Sequence, residues 1–241
     1  MRAETRHQLK QDRFSRATID AAGATVDWSV EHRSKLIAGG AAVVVVAAIV
    51  FGGWYYLSQQ DEKASLELNQ AVRTLDTPVR PAGAPPEPDL PSFASSQERA
   101  TAAHKQFQAI VDKYPHTRSS DMARYFLGLT AEDLGDKAAA ENNLKIVASS
   151  YNGDLSALGK FALASVYRNS DRRKEAIELY KQIMEKPSAT VSKVTAEMEL
   201  ASTYRADNQP LEAKRVYEQI QKENPASQAA QMASAKLAEL K

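Results

Sequence analysis

The chain of 241 residues contains no cysteine and only four histidines. The lack of cysteine excludes disulfide bonds, thiolate metal sites and a cysteine nucleophile, so packing must stabilise the fold. The histidines, at positions 7, 32, 104 and 116, are nowhere three or four residues apart, and we therefore expect no zinc or haem site. Basic and acidic residues are nearly balanced, at 31 and 30, which disfavours a nucleic-acid partner.

Catalytic and nucleotide-binding motifs are also missing. The five glycines beyond residue 58 form neither a phosphate-binding loop nor a nucleophile elbow. Short charge clusters occur at 132–136 and 171–174, and such clusters usually belong to a solvated surface. We therefore expect a protein that is not an enzyme, with no catalytic residue, cofactor, metal or small-molecule substrate.

A single long apolar run extends from Leu36 to Leu57 and contains no charged residue. Its 22 residues would span about 33 Å as a helix, slightly more than the ~30 Å hydrocarbon core of a bilayer. Residues 54–56 are aromatic, as in the belt that lies at a membrane interface. The run predicts a single transmembrane helix in contact with the lipid bilayer.

A cleaved signal peptide is the main alternative for this run. Here 35 residues precede it, it is longer than the usual apolar core of about 7 to 15 residues, and no A-x-A-like site follows. We therefore predict a retained signal anchor. Residues 1–35 carry seven Lys and Arg residues against three in 58–92, so the positive-inside rule places the N-terminus in the cytoplasm and residues 58–241 outside.

Beyond the apolar run the sequence predicts helices alone. Six prolines between Pro78 and Pro91 fix φ and remove backbone donors, so no helix continues through them. Turn residues separate the later helical segments, and the alternation typical of strands is absent. The predicted order is a cytoplasmic tail (1–35), a transmembrane helix (36–57), a juxtamembrane helix (58–77), a Pro-rich loop (78–92) and a helical domain (93–241).

Three of the helical segments superpose at spacings of 36 and 37 residues. A leucine followed by a small residue occurs in each, as does an alanine 13 residues after the leucine and a large residue four further on. Small residues are needed where two helices cross closely, and large residues fill the gap to the next pair. The corresponding residues are Leu127, Leu163 and Leu200; Gly128, Ala164 and Ala201; Ala140, Ala176 and Ala213; and Leu144, Tyr180 and Tyr217.

This pattern resembles the tetratricopeptide repeat, a pair of helices A and B with the leucine and small residue on helix A and the alanine on helix B. The resemblance implies an all-α fold, a solenoid of helical hairpins that follows the transmembrane helix. Because prolines lie where the first helix A would be, we expect residues 61–77 to supply it. Residues 227–240 would form the C-terminal capping helix that a solenoid requires.

The resemblance also implies a groove on the concave side of the solenoid. We expect Tyr125, Phe161 and Met198 to form a row in it, with Arg168 and Arg205 beside them as anchors for a protein partner. An alternative is that the capping helix covers these residues. The residues that would line the concave groove, here called the predicted groove, are Met122, Tyr125, Leu129, Glu132, Leu158, Phe161, Arg168, Met198 and Arg205.

A membrane helix followed by an extracytoplasmic repeat domain is similar to the ancillary subunit of the bacterial Sec translocon. That resemblance implies a scaffold in the bacterial inner membrane, with a periplasmic repeat domain and the translocon, chaperones, and client or envelope proteins as partners. Residues 107–118 also resemble repeats of outer-membrane assembly lipoproteins and of the periplasmic cell-division coordinator. The alternative function is therefore a structural subunit of a larger envelope or cell-division complex.

Overall fold

The computed structural model describes residues 32–85, 91–223 and 225–240. These residues contain nine α-helices and no β-strand, as the sequence predicts. The chain divides into two units between Tyr56 and Leu57. The helices are α1 (Arg33–Asp76), α2 (Ser96–Lys113), α3 (Arg118–Asp133), α4 (Lys137–Ala148), α5 (Gly153–Arg168), α6 (Arg173–Glu185), α7 (Lys193–Ala206), α8 (Pro210–Glu223) and α9 (Gln228–Ala238).

Helix α1 contains the apolar run in its first part. Over its most apolar 18 residues the mean hydropathy is 2.4, and none of those residues is buried. Among the described residues it is the one helix long and apolar enough to cross a membrane, and a signal sequence near the N-terminus would have the same properties. The helix has no break at residue 57, where the sequence separates a transmembrane from a juxtamembrane helix, and it ends at Asp76.

The last part of α1 packs against α2. Ala64 and Ala71 are fully buried, because Phe107 and Ile110 of α2 lie in the same apolar cluster. Polar contacts fix the pairing on either side of this cluster. Thr74 Oγ1 donates to Gln106 Oε1 at 2.8 Å, and the Tyr114 hydroxyl donates to Glu67 Oε1 at 2.7 Å. Residues 61–76 thus occupy the helix A position that the sequence analysis expects them to fill.

The Pro-rich loop is closed at its base. Arg80 N donates to Phe93 O at 2.9 Å, and Phe93 N donates to Pro78 O at 3.0 Å. The Arg80 guanidinium also donates to Ser92 O at 3.1 Å. Ser95 then starts α2, since its side chain accepts a hydrogen bond from the backbone of Glu98. These contacts bring the end of α1 and the start of α2 together across the loop.

The three later hairpins, α3–α4, α5–α6 and α7–α8, have the same connecting turn. Each turn contains one residue in the left-handed region, and each is closed by a backbone hydrogen bond of 2.8–2.9 Å between residues five apart, as in a Schellman motif. The left-handed residues, spaced like the sequence repeats, are Gly135 (φ 82°), Asp171 (φ 59°) and Asn208 (φ 56°). The closing hydrogen bonds run from Asp136 N to Ala131 O, from Arg172 N to Tyr167 O and from Gln209 N to Tyr204 O.

Within each hairpin the helices cross at the small residues that the sequence pattern marks. A Cβ atom on Gly128 would lie 2.5 Å from Leu144 Cγ, so no larger residue fits while Leu144 stays in place. Ala164, Ala176, Ala201 and Ala213 are all 0% exposed. The large residues between hairpins, such as Tyr180 and Tyr217, are 1% exposed. Fully burying a large apolar side chain stabilises the fold by about 1.5–3 kcal/mol, so these positions hold the array together.

Candidate functional site

The predicted groove residues lie on the first helix of each hairpin, on α3, α5 and α7. Met122, Tyr125, Leu129 and Glu132 belong to α3; Leu158, Phe161 and Arg168 belong to α5; Met198 and Arg205 belong to α7. All are half-buried except Arg205, which is exposed. The apolar members Tyr125, Leu129, Leu158, Phe161 and Met198 pack against the main core cluster. The groove residues therefore serve partly as core and partly as surface.

The two aromatic groove residues each contact a neighbouring ring. Phe161 meets Tyr180 edge-on, with ring centroids 5.7 Å apart, and Tyr125 meets Phe126 in a T-shaped contact at 5.4 Å. Burial raises the pKa of the Tyr125 hydroxyl above its usual value. Burial also raises the pKa of Tyr180, to about 12. These contacts hold both rings against neighbouring aromatic side chains, and both residues remain half-buried.

The polar groove residues connect one repeat to the next. The Arg168 guanidinium is paired with the Glu199 carboxylate of α7. Arg205 Nη1 lies 2.8 Å from Glu239 Oε2, just after α9. At the equivalent place on α3, Glu132 Oε1 accepts a hydrogen bond of 2.8 Å from the Asn169 side chain. The two arginines that the sequence analysis reserves for a partner are therefore already engaged within the chain.

A pocket of about 460 Å³ opens between α7 and α9. It brings Met198 and Arg205 of the predicted groove together with Met232 and Lys236 of α9, and the ring of Tyr217 also lines it. Met232 is 52% exposed. The C-terminal helix α9 thus lines this pocket opposite α7.

The contribution of α9 to this pocket is not among the residues predicted for the groove, although the sequence contains a signal for it. Leu237 and Ala238 stand 37 residues after Leu200 and Ala201, so α9 follows the pattern of a fourth helix A. Ala233, which corresponds to Ala196 in α7, is likewise 0% exposed. The same register would have placed Met232 and Lys236 beside α7.

One buried carboxyl group belongs to none of the predicted sites. Glu197 is 0% exposed at the α7–α8 contact, and its Oε2 atom has no hydrogen-bond partner. Its Oε1 atom accepts a hydrogen bond of 3.3 Å from Gln219 and lies 3.4 Å from Lys193 Nζ, which is shared with Glu223. Burial raises the pKa of Glu197, and the Lys193 charge opposes that effect only in part.

The other clusters considered in the sequence have structural partners. Arg172 lies over the ring of Tyr167, 4.0 Å from its centroid, and its guanidinium contacts Glu141 at 2.7 Å and Glu175 at 2.9 Å. His104 Nδ1 lies 2.9 Å from Thr130 Oγ1. Across residues 32–85, 91–223 and 225–240 there is no group of three or more His, Cys, Asp or Glu side chains that could hold a metal ion.

Comparison with known proteins identifies the repeats. The family model for a tetratricopeptide repeat-like domain matches residues 27–186, and a tetratricopeptide repeat model matches residues 195–227. The chain belongs to the tetratricopeptide repeat-like domain family. Tetratricopeptide repeats indicate a scaffold for protein–protein interaction, and their surfaces typically bind partners without catalysis. No curated protein matches the sequence.

A solved structure supports the same fold for the tetratricopeptide repeats. It is the crystal structure of nearly identical tetratricopeptide-like repeats from a Podospora anserina protein described as a putative kinesin light chain. That structure superposes on this chain with a TM-score of 0.57 at 16% sequence identity. The match covers 75% of this chain and 86% of the other. At this identity the likeness concerns the fold alone.

Proposed function

We propose that this protein is a membrane-anchored, extracytoplasmic interaction scaffold that assists protein translocation or envelope protein assembly. The observation that carries the proposal is the apolar segment 36–57, which is free of charge, lies just before the tetratricopeptide repeats and has no buried residue over its most apolar 18 positions. An exposed apolar surface of this length is costly in water, whereas a bilayer covers it fully. The excess of basic residues before it supports a cytoplasmic N-terminus and a periplasmic repeat domain.

The predicted groove is the proposed site for protein partners. Half-exposed apolar side chains on α3, α5 and α7 offer contact area, and the pocket between α7 and α9 adds a recess large enough for one or two side chains. The similarity to the ancillary subunit of the Sec translocon supports the translocon, chaperones and client or envelope proteins as candidate partners.

Site-specific photo-crosslinking in intact cells tests this function. A crosslinking amino acid at Met198, inside the pocket, should give adducts with secreted or envelope proteins. The matched control is the same residue at Leu211, which is 73% exposed at the start of α8 and does not line the pocket. Equal adducts from both positions, or adducts with cytoplasmic proteins alone, would contradict the proposal.

Reporter fusions test the topology separately. A reporter that is active only outside the cytoplasm should work when fused after Lys241 and fail when fused before Leu36. Recovery of the protein in the soluble fraction, with an N-terminus near residue 58, would show that the apolar run is a cleaved signal peptide.

A structural subunit of a larger envelope or cell-division complex is the second candidate. It is favoured by the ion pair of Arg168 with Glu199, because an arginine held within the chain is less available to a transient client. Purification from detergent separates the two functions. Sub-stoichiometric, exchanging partners support the scaffold, whereas a partner at fixed stoichiometry supports the structural subunit.

A further inference from the structure

One carboxylate of the chain neutralises two cations at the pocket between α7 and α9. Glu239 Oε2 lies 2.8 Å from Arg205 Nη1, and its Oε1 lies 2.9 Å from Lys236 Nζ. Arg205 and Lys236 both line the pocket. Glu239 forms the C-cap of α9, and its side chain is 50% exposed. A residue at a helix end with such exposure can leave its partners at little cost.

The lining of the pocket carries two cations, Arg205 and Lys236, and one carboxylate. Glu199 is the one carboxylate among its lining residues, and it is paired with Arg168. Among the described residues, Arg168 and Glu239 lie outside the lining but pair with lining residues, so the charged groups to consider are the cations Arg168, Arg205 and Lys236 and the carboxylates Glu199 and Glu239. When Glu239 is in place the balance is +1, and when it swings away the balance is +2.

An apolar surface lies beside these cations. Val194, Met198, Ala229 and Met232 line the same pocket of about 460 Å³. Thioether side chains adapt to ligands of different shape. The complementary ligand is therefore a segment that presents a carboxylate next to an apolar side chain.

We propose that this pocket binds an acidic segment of a partner protein, whose carboxylate displaces Glu239 from Arg205 and Lys236. Glu239 is thus an internal competitor that keeps the cations neutralised until an acidic partner arrives. The inference rests on the proposed scaffold function and specifies the partner's chemistry. Because exposed ion pairs are weak, the competition should reduce affinity about threefold to fivefold, enough to reject weak ligands without blocking strong ones.

Peptide binding to the full-length protein in detergent tests the proposal. The probes are two fluorescein-labelled decapeptides, one alternating glutamate and leucine and the other alternating glutamine and leucine, and binding is followed by fluorescence anisotropy. The variants are Glu239→Gln and the double change Arg205→Gln with Lys236→Gln. The matched controls are Glu212→Gln and Arg215→Gln, because these two residues form an exposed ion pair of 2.6 Å on α8, outside the pocket.

The expected results follow from the displacement. The wild type should prefer the glutamate peptide, and Glu239→Gln should bind it three to five times more tightly than Glu212→Gln does, although both variants lose one negative charge. The gain should vanish with the glutamine peptide. The double variant should lose at least tenfold in affinity for the glutamate peptide, whereas Arg215→Gln should bind like the wild type.

Three results would overturn the proposal. These are equal binding of the two peptides by the wild type, equal gain in Glu239→Gln and Glu212→Gln, and unchanged affinity in the double variant. The first and third do not depend on the folding of Glu239→Gln. If Met198 crosslinks to envelope proteins but the wild type does not prefer the glutamate peptide, the acidic specificity is wrong and the scaffold function still holds. If the wild type prefers the glutamate peptide but Met198 gives no such crosslinks, the scaffold function is wrong and the pocket still binds acidic segments.

Discussion

Replacing Gly159 by alanine tests the close approach of α5 to the end of α4. A Cβ atom at position 159 would lie 2.6 Å from the backbone nitrogen of Ala148 and 2.8 Å from the carbonyl carbon of Val147. Backbone atoms cannot rotate out of the way, so the two helices must separate. Overpacking of this kind costs roughly 1–3 kcal/mol, and a backbone clash belongs at the upper end of that range. Alanine gains about 1 kcal/mol over glycine in a helix, so we expect a net loss of about 2 kcal/mol in the free energy of unfolding.

Gly153→Ala is the matched control, since it is the same substitution in the same helix. No atom lies within 4 Å of a Cβ at Gly153, and the residue begins α5. We expect its free energy of unfolding to change by less than about 1 kcal/mol, toward higher stability if at all. Gly128→Ala is an intermediate case, because its Cβ would meet the buried side chain of Leu144 rather than backbone.

Thermal unfolding followed by far-ultraviolet circular dichroism provides the measurement. For a domain of this size, 1 kcal/mol shifts Tm by about 2–4 °C, so Gly159→Ala should melt about 4–8 °C below the wild type. Gly153→Ala should melt at the wild-type temperature or slightly above it. A Tm of Gly159→Ala at or above that of Gly153→Ala would refute the described contact between α4 and α5.

Three further predictions concern charge and the membrane segment. Burial raises the pKa of Glu197, so ionisation of this carboxyl group lowers the stability of the fold as pH rises above about 4.5. In urea titrations Glu197→Gln should therefore be more stable than the wild type at pH 7, with a smaller difference at pH 4. An equal difference at both pH values would contradict this. Arg168→Ala should lower the free energy of unfolding by up to about 1 kcal/mol, because the ion pair of Arg168 with Glu199 is only partly exposed. Arg205→Ala should lower it by under about 0.5 kcal/mol, because the ion pair of Arg205 with Glu239 is more exposed. A larger loss for Arg205→Ala would show that the α9 contact is the more important one. Val46→Arg should cost about 2.5–3.5 kcal/mol of insertion free energy, measured in a translocon insertion assay, and unchanged insertion would argue against a membrane span.

The helical repeat architecture follows from local sequence features. Each turn between paired helices needs one left-handed residue, supplied by Gly135, Asp171 and Asn208, and all three are turn-forming residue types that separate helical segments in the sequence. The spacing of leucine, small residue and alanine is also local, because a helix fixes which residues share a face. The sequence therefore predicts the hairpins and their boundaries, since both depend on periodicity and on breaks. The pairing of residues 61–77 with α2 is expected from the repeat resemblance instead, because prolines lie where the first helix A would be.

The candidate site was predicted less completely. Residues on the first helix of each hairpin follow from the family pattern, and the structure places Met198 and Arg205 in one pocket. The sequence predicts Arg168 and Arg205 as anchors for a protein partner, whereas the structure pairs them with Glu199 and Glu239. Residues 227–240 are expected to cap the solenoid, with the alternative that they cover the groove, and in the structure α9 lines the pocket beside α7.

What the sequence alone determined is the set of interactions between residues close in the chain: helix propensity, capping, turn conformation and the face that each helix buries. What only the tertiary structure decided is the set of contacts between repeats. Arg168 reaches a glutamate 31 residues away and Arg205 one 34 residues away. Such pairs depend on how far one hairpin is rotated and shifted against the next, and a change of one helical turn would separate their atoms by about 5.4 Å. The same is true of Glu197, whose burial requires α8 to cover it, and no local pattern in the sequence specifies that contact.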